Sequence, residues 1–183
     1  MPDNAKSLVS TEEREALAVA AAELAWSPWP KPEGAFGPAS SVTSEAGVGV
    51  TTRSHAVDSY VASLDRSAPG ERIAADVRRH LLAAAALTKA AKRASDWPDP
   101  RLADVAIIET SIADLRETRA IYLATLKLID ADDELIHAIR EPLDKAVKEL
   151  GRVADDLAEN AMKKRSSKFA VPNINAGGTS ASW

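Results

Sequence analysis

Several residue types that support chemistry are scarce or missing in this chain of 183 residues. It contains no cysteine, which excludes disulfide bonds, thiolate metal ligands and a thiol nucleophile. Aromatic residues make up only 4% of it, so few large side chains are present to fill a thick core. The formal net charge is -4, whereas proteins that bind nucleic acids usually carry a basic excess. We therefore expect no direct contact with nucleic acid.

Long apolar runs are also missing. No segment approaches the roughly 18 uninterrupted apolar residues that a membrane span requires, so no membrane-spanning helix is expected. The first apolar run, residues 16–22, follows Glu12, Glu13 and Glu15, whereas a secretory signal has basic residues at that place. We predict no signal peptide, and a location in the cytoplasm or in a virion.

The residues that are abundant favour helices. Ala, Leu, Glu, Lys and Arg dominate the periodic segments, and these are the strongest helix formers. The predicted fold class is all-α: a helical bundle or hairpin built on a long heptad-patterned helix, with an extended Pro/Gly arm and a flexible C-terminal tail. The predicted segments are an N-terminal helix (1–26), the arm or linker (27–53), a helical bundle or coiled-coil domain (54–165) and the tail (166–183).

The strongest order lies between Arg101 and Arg165, where one column of apolar residues repeats every seven positions. We predict that this column forms a seam against other helices. A second column, four residues later, is interrupted by Arg119, Asp133 and Arg140. At the neighbouring offset, apolar side chains return at Ile139 and Val153. The first column consists of Ile108, Leu115, Tyr122, Ile129, Ile136, Leu143, Leu150 and Leu157.

Two arrangements of this segment fit the pattern. One is a single helix, about 97 Å long at 1.5 Å per residue, with a kink at Pro142. The other is a hairpin that turns near residues 130–133, where acidic residues cluster. The unbroken heptad phase favours the single helix, and so does the absence of glycine before Gly151, because tight helix ends usually use glycine. The long, kinked helix is therefore the favoured prediction.

Local signals place the other helices. Ser10 and Glu13 form a capping-box pattern, which predicts a helix start. A short helix is predicted over residues 54–66. Pro69 suits the first turn of a further helix, whose apolar stripe continues to about Ser95.

The arm and the tail carry large aromatic residues between Pro, Gly and Ser. The composition alone fits a disordered linker. Purely solvated linkers seldom contain large apolar rings, however, so an extended arm that docks on a partner is the alternative. On that interpretation the anchoring residues are Trp29, Phe36, Phe169 and Trp183.

Candidate catalytic and metal motifs are incomplete. Glu134 and His137 have the spacing used in di-iron bundles, but the second such motif is missing. The acidic cluster between Asp130 and Glu134 lacks the glycine and the twelfth-position Glu of a calcium loop. Neither a nucleophile elbow nor a phosphate-binding loop occurs. We predict no catalytic residue, no metal site and no cofactor.

Three functions remain open. The favoured one is a non-enzymatic structural or assembly protein, which contacts neighbouring subunits through helices and arms as a homo-oligomer or part of a larger assembly. A component of a phage or virus-like particle is its most specific form. The alternative is a small helical adaptor or regulatory binding module, and the third is a helical-bundle metal protein.

Overall fold

A computed structural model describes residues 9–29 and 46–168, without the side chains of 46–52 and 167–168. These residues form helices and no strand, which confirms the all-α prediction. The helices are α1 (Thr11–Leu24), α2 (Ala46–Ser63), α3 (Pro69–Ser95), α4 (Leu102–Leu128) and α5 (Asp133–Lys168).

The core lies between α3, α4 and α5, because α5 packs on both α3 and α4. Helix α1 packs against α3 and α4, and α2 packs against α4. The heptad column faces this core. Its two central members, Ile129 and Ile136, are half-buried, and the other six are fully buried: Ile108, Leu115, Tyr122, Leu143, Leu150 and Leu157. The seam therefore joins helices of the same chain.

The segment from 101 to 165 is a hairpin, so the favoured prediction of one long kinked helix is wrong. Helix α4 ends at Leu128 and α5 begins at Asp133. Asp130 takes a positive φ of 52°, a left-handed conformation that Asp tolerates better than most residues. The Ala131 N–H donates to the Leu126 carbonyl at 3.0 Å, as in a glycine-terminated helix end.

The acidic residues near 130 have a structural role at this turn. The Asp132 carboxylate accepts the backbone N–H of Leu135 at 2.6 Å and so caps the start of α5. Helix α5 then continues through Pro142 without ending. One of the three interruptions of the second apolar column also has a reason, since Arg119 of α4 pairs with Asp144 of α5 at 2.5 Å. That ion pair bridges the two arms of the hairpin.

Helix α1 is tied to the end of the bundle where α3 connects to α4. The predicted capping box is confirmed: the Ser10 hydroxyl accepts the Glu13 backbone N–H at 3.2 Å. One turn later, Arg14 donates to the Asp99 carbonyl at 2.7 Å and to the Asp104 carboxylate. Asp104 is only 5% exposed, so this guanidinium neutralises a buried charge.

Helix α2 begins at Ala46, well before the predicted helix start at residue 54. Part of the predicted arm is therefore helical. Gly47 and Gly49 explain the error, because glycine has a low helix propensity that tertiary contacts can override. Arg53 supplies one such contact, with hydrogen bonds of 2.9 and 2.6 Å to the carboxylate of Glu117 in α4.

Both ends of α3 agree with the prediction: Pro69 lies in the first turn of the helix, and Ser95 is its last residue. Among the described helices, none is both long and apolar enough to cross a bilayer.

Candidate functional site

Polar and aromatic side chains meet in the core where the end of α1 faces α2, α3 and α4. We call this group the junction cluster. It includes both tyrosines of the chain and two of its four tryptophans. Its members are Trp26, Trp29, Tyr60, Asp76, His80 and Tyr122.

Asp76 of α3 accepts two hydrogen bonds in this cluster. The Tyr60 hydroxyl from α2 donates to its Oδ2 at 2.8 Å, and Arg72 Nε, one turn earlier on α3, donates to the same atom at 3.1 Å. Asp76 is only 7% exposed, and a carboxylate buried to this degree requires such donors. Asp76 thereby links α2 to α3.

His80 links α1, α3 and α4. It is 1% exposed, its Nε2 lies 2.8 Å from the Trp26 carbonyl, and its Nδ1 lies 3.0 Å from the Tyr122 hydroxyl. Each ring nitrogen faces a carbonyl oxygen, that of Trp26 at Nε2 and that of Asp76 at 3.0 Å from Nδ1. We assign the proton of the neutral ring to Nε2, because its carbonyl contact is the shorter one and because Nδ1 has the Tyr122 hydroxyl as a donor. Nδ1 then accepts the hydroxyl proton of Tyr122, so a neutral imidazole satisfies both of these neighbours.

Burial controls the ionisation of the cluster. It lowers the pKa of His80, because the charged imidazolium would lose its hydration. Burial likewise raises the pKa of Tyr60, helped by its hydrogen bond to Asp76. It also raises the pKa of Tyr122, with a further contribution from Tyr60. Both hydroxyls therefore stay protonated at neutral pH and act as donors within the core.

Trp29 packs inside the chain, which corrects its predicted role as an anchor on a partner. Its ring is 6% exposed and meets Tyr60 edge-on at 5.2 Å and Tyr122 at 5.3 Å between ring centroids. The Ser27 hydroxyl donates to the Trp29 carbonyl at 2.9 Å. Residues 27–29 therefore turn into the bundle. The other predicted anchors, Phe36, Phe169 and Trp183, lie outside the described residues.

Sequence reasoning did not find the junction cluster. Asp76 and His80 are four residues apart on α3, a spacing that places both on one helix face. They lie beside Ile73 and Val77 of the apolar stripe. This position on the apolar side of α3 was the available signal that the two polar residues are buried. Their partner Tyr122 was recognised only as a member of the apolar column.

The two residues of the incomplete di-iron motif lie on the surface. Glu134 and His137 are both exposed, and His137 Nε2 lies 3.6 Å from a carboxylate oxygen of Glu141. Across residues 9–29 and 46–168, no three His, Asp or Glu side chains are grouped so that they could hold a metal ion.

A groove of about 620 Å³ runs between α1 and α4 on the surface. We call it the alanine groove, because five of its lining residues are alanines. It is mainly apolar, and small side chains of this kind let another backbone approach closely. Its lining consists of Ala21, Ala22, Ala25, Ala103, Ala106, Ile107, Thr110, Ser111 and Asp114.

A second apolar surface lies on α3. Leu82 is 74% exposed, and Ala85 and Ala86, which follow on the same side of the helix, are exposed as well. Arg78 and Lys89 lie one turn before and two turns after Leu82. We call these five residues the Leu82 face.

No family model matches this sequence, and no match was found among the curated proteins or the solved structures. Function is therefore inferred from the packing and the surfaces of the chain.

Proposed function

We propose that this protein is a non-enzymatic assembly protein whose copies associate head to tail, with the Leu82 face of one copy in the alanine groove of the next. The observation that carries the proposal is the presence of these two surfaces on one chain. Leu82 supplies a large exposed apolar side chain, and the groove supplies an apolar recess. Burying both against each other would remove apolar surface from water.

The shapes of the two surfaces support this pairing. Ala22, Ala103 and Ala106 are exposed along the groove, and Ala85 and Ala86 flank Leu82 on α3. Alanines on both sides would let the helices approach at the short end of the usual 8–10 Å between axes. Leu82 would then fill the recess between α1 and α4 of the next copy, as a side chain on the ridge of one helix fills the groove of another.

The charges support it as well. Arg78 and Lys89 place positive charge at both ends of the Leu82 face. On the groove side, Glu109 of α4 is exposed one turn after Ala106, and Glu15 of α1 is exposed two turns before Ala22. Opposite charges at the rim of an interface favour encounter and set its register.

Such a contact joins two different patches, so it forms rings or open filaments. In its most specific form the protein is a subunit of a phage or virus-like particle, in which Phe36, Phe169 and Trp183 contact neighbouring copies. That version is supported by the composition of the arm and the tail alone.

The test uses Leu82→Glu and Ala106→Glu, which place a carboxylate on the face or in the groove. Each variant alone should be monomeric in light scattering at concentrations where the parent chain associates. Mixed in equal amounts they should form a dimer and nothing larger, because one copy keeps an intact groove and the other an intact face. Ala138→Glu, an exposed alanine of α5, is the matched control and should associate like the parent.

A parent chain that stays monomeric at every concentration would overturn head-to-tail assembly. The second candidate function would then remain: a helical adaptor whose alanine groove binds a helix of another protein. In that case Ala106→Glu, but not Leu82→Glu, should abolish retention of the partner in a pull-down.

A further inference from the structure

We propose that His80 is a pH-sensitive latch, which holds the end of α1 on α3 and α4 and releases α1 when its imidazole takes up a proton. This inference does not depend on the proposed assembly, because it concerns contacts within one chain. The link is direct: the Nε2 of His80 meets the carbonyl of Trp26, just beyond the end of α1, at 2.8 Å.

Protonation of His80 leaves its hydrogen bond to Trp26 in place and changes the contacts of Nδ1. With Nε2 protonated, the ring donates to Trp26 and accepts from Tyr122 at 3.0 Å. A second proton would go to Nδ1 and remove the acceptor of the Tyr122 hydroxyl. The Asp76 carbonyl, 3.0 Å from Nδ1, can accept that proton, but the hydroxyl of a fully buried tyrosine is then left without its partner.

The charged groups around the ring oppose each other. On α3, the Asp76 carboxylate favours an imidazolium, but it already accepts hydrogen bonds from Tyr60 of α2 and from Arg72. Arg79, also on α3, disfavours a positive charge on His80. Its guanidinium lies 3.7 Å from the centre of the Trp26 ring, and this ring contacts His80. Tyr122 contributes a neutral hydroxyl from α4, and α1 contributes the Trp26 carbonyl. Burial is the largest effect, and the pKa of His80 is lowered.

Helix α1 is the shortest of the described helices. It has only 14 residues, and isolated helices of this length are marginal in water. Besides Leu17, Ala20 and Leu24, which are buried, Arg14 holds one end of α1. The Trp26–His80 contact and the buried ring of Trp29, which follows it in the chain, hold the other. The longer helices α3, α4 and α5 pack on one another and can stay together when α1 leaves.

The direction of the pH effect follows from the lowered pKa. In the released state the ring is solvated and titrates near its ordinary pKa of about 6.5. The attached state therefore has its full stability above that pH and loses stability as the pH falls toward the lowered pKa. One proton is taken up on release, so the released fraction should rise by up to about tenfold per pH unit within this window.

The absence of cysteine allows a clean measurement. Ala20→Cys places a thiol at a buried position of α1, and Ala154→Cys places one at a buried position of α5. Labelling with a dipyridyl disulfide, which reacts in mild acid, is measured from pH 7.5 to 5.5. The rate at position 20 is divided by the rate at 154, which cancels the pH dependence of the thiol reaction.

This ratio should rise several-fold on acidification in the parent background. It should stay constant in His80→Gln, since glutamine can donate to the Trp26 carbonyl but does not titrate. In Tyr122→Phe the neutral ring loses its donor, which raises the pKa of His80 in the attached state toward its value in the released state, so the total rise should be smaller than in the parent. A ratio that is constant in the parent, or that rises equally in His80→Gln, would overturn the proposal. Should His80→Gln not fold, a rise in Tyr122→Phe as large as in the parent would overturn it equally.

Discussion

Replacement of Trp29 with alanine should lower the free energy of unfolding by about 3–5 kcal/mol, the usual cost of removing a large aromatic side chain from a core. The ring is 6% exposed and contacts both Tyr60 and Tyr122. Its loss leaves a cavity where the end of α1 and the helices α2 and α4 meet. Urea unfolding followed by circular dichroism measures the change.

Leu82→Ala is the control for this experiment. Leu82 is 74% exposed, so its truncation should change the stability of the monomer by less than about 0.5 kcal/mol. If Trp29→Ala were as stable as the parent, Trp29 would be a surface residue free to contact a partner, as the sequence alone suggested.

A charge in the heptad column should have the largest effect of any single substitution. Leu150 is fully buried between α5 and its neighbours, and Leu150→Asp would place a carboxylate there without a partner. The cost of burying such a group is several kcal/mol, comparable to the whole stability of a domain. We expect the variant to lose its cooperative thermal transition.

Two further variants show how the loss of stability depends on burial. Leu128→Asp changes a leucine that is 58% exposed at the end of α4, and it should unfold near the parent temperature. Ile136→Asp affects a half-buried member of the same column and should fall between the other two. A Leu150→Asp protein that melts like Leu128→Asp would show that the column does not face the core.

The sequence predicted those features whose signals are local. The stripe of α3, the capping box at Ser10 and the proline at the start of α3 each depend on residues within a few positions of one another. The buried positions Ile139 and Val153 also followed from counting offsets in the heptad pattern. Periodicity reports which face of a helix is apolar, and that was sufficient for the fold class.

The features that were missed depend on tertiary contacts or on an uncommon residue. Asp130 occupies a left-handed position where glycine was expected, so the turn had no recognisable signal. Helix α2 extends through two glycines, which have a low helix propensity and so gave no signal for it. The His80 contacts with Trp26 and Tyr122 join residues 54 and 42 positions apart, and no local pattern encodes such a meeting.

The heptad phase itself was misleading at the turn. The seven-residue spacing of the apolar column continues across the turn, and this suggested one helix, because a turn does not require the spacing to be kept. In the hairpin, each arm uses the same column to face a common core, and the Arg119–Asp144 pair connects the two arms. The phase is thus compatible with two helices whose apolar faces point toward each other.

The hairpin is the central feature of this account, and one distance tests it most directly. Spin labels at Glu109→Cys and Asp155→Cys, both exposed positions, are introduced into the cysteine-free chain and their separation is measured by pulsed electron resonance. Packed antiparallel helices lie 8–10 Å apart, so the hairpin predicts a label separation below about 30 Å. A peak near 69 Å, the span of 46 residues in one continuous helix at about 1.5 Å each, would contradict it.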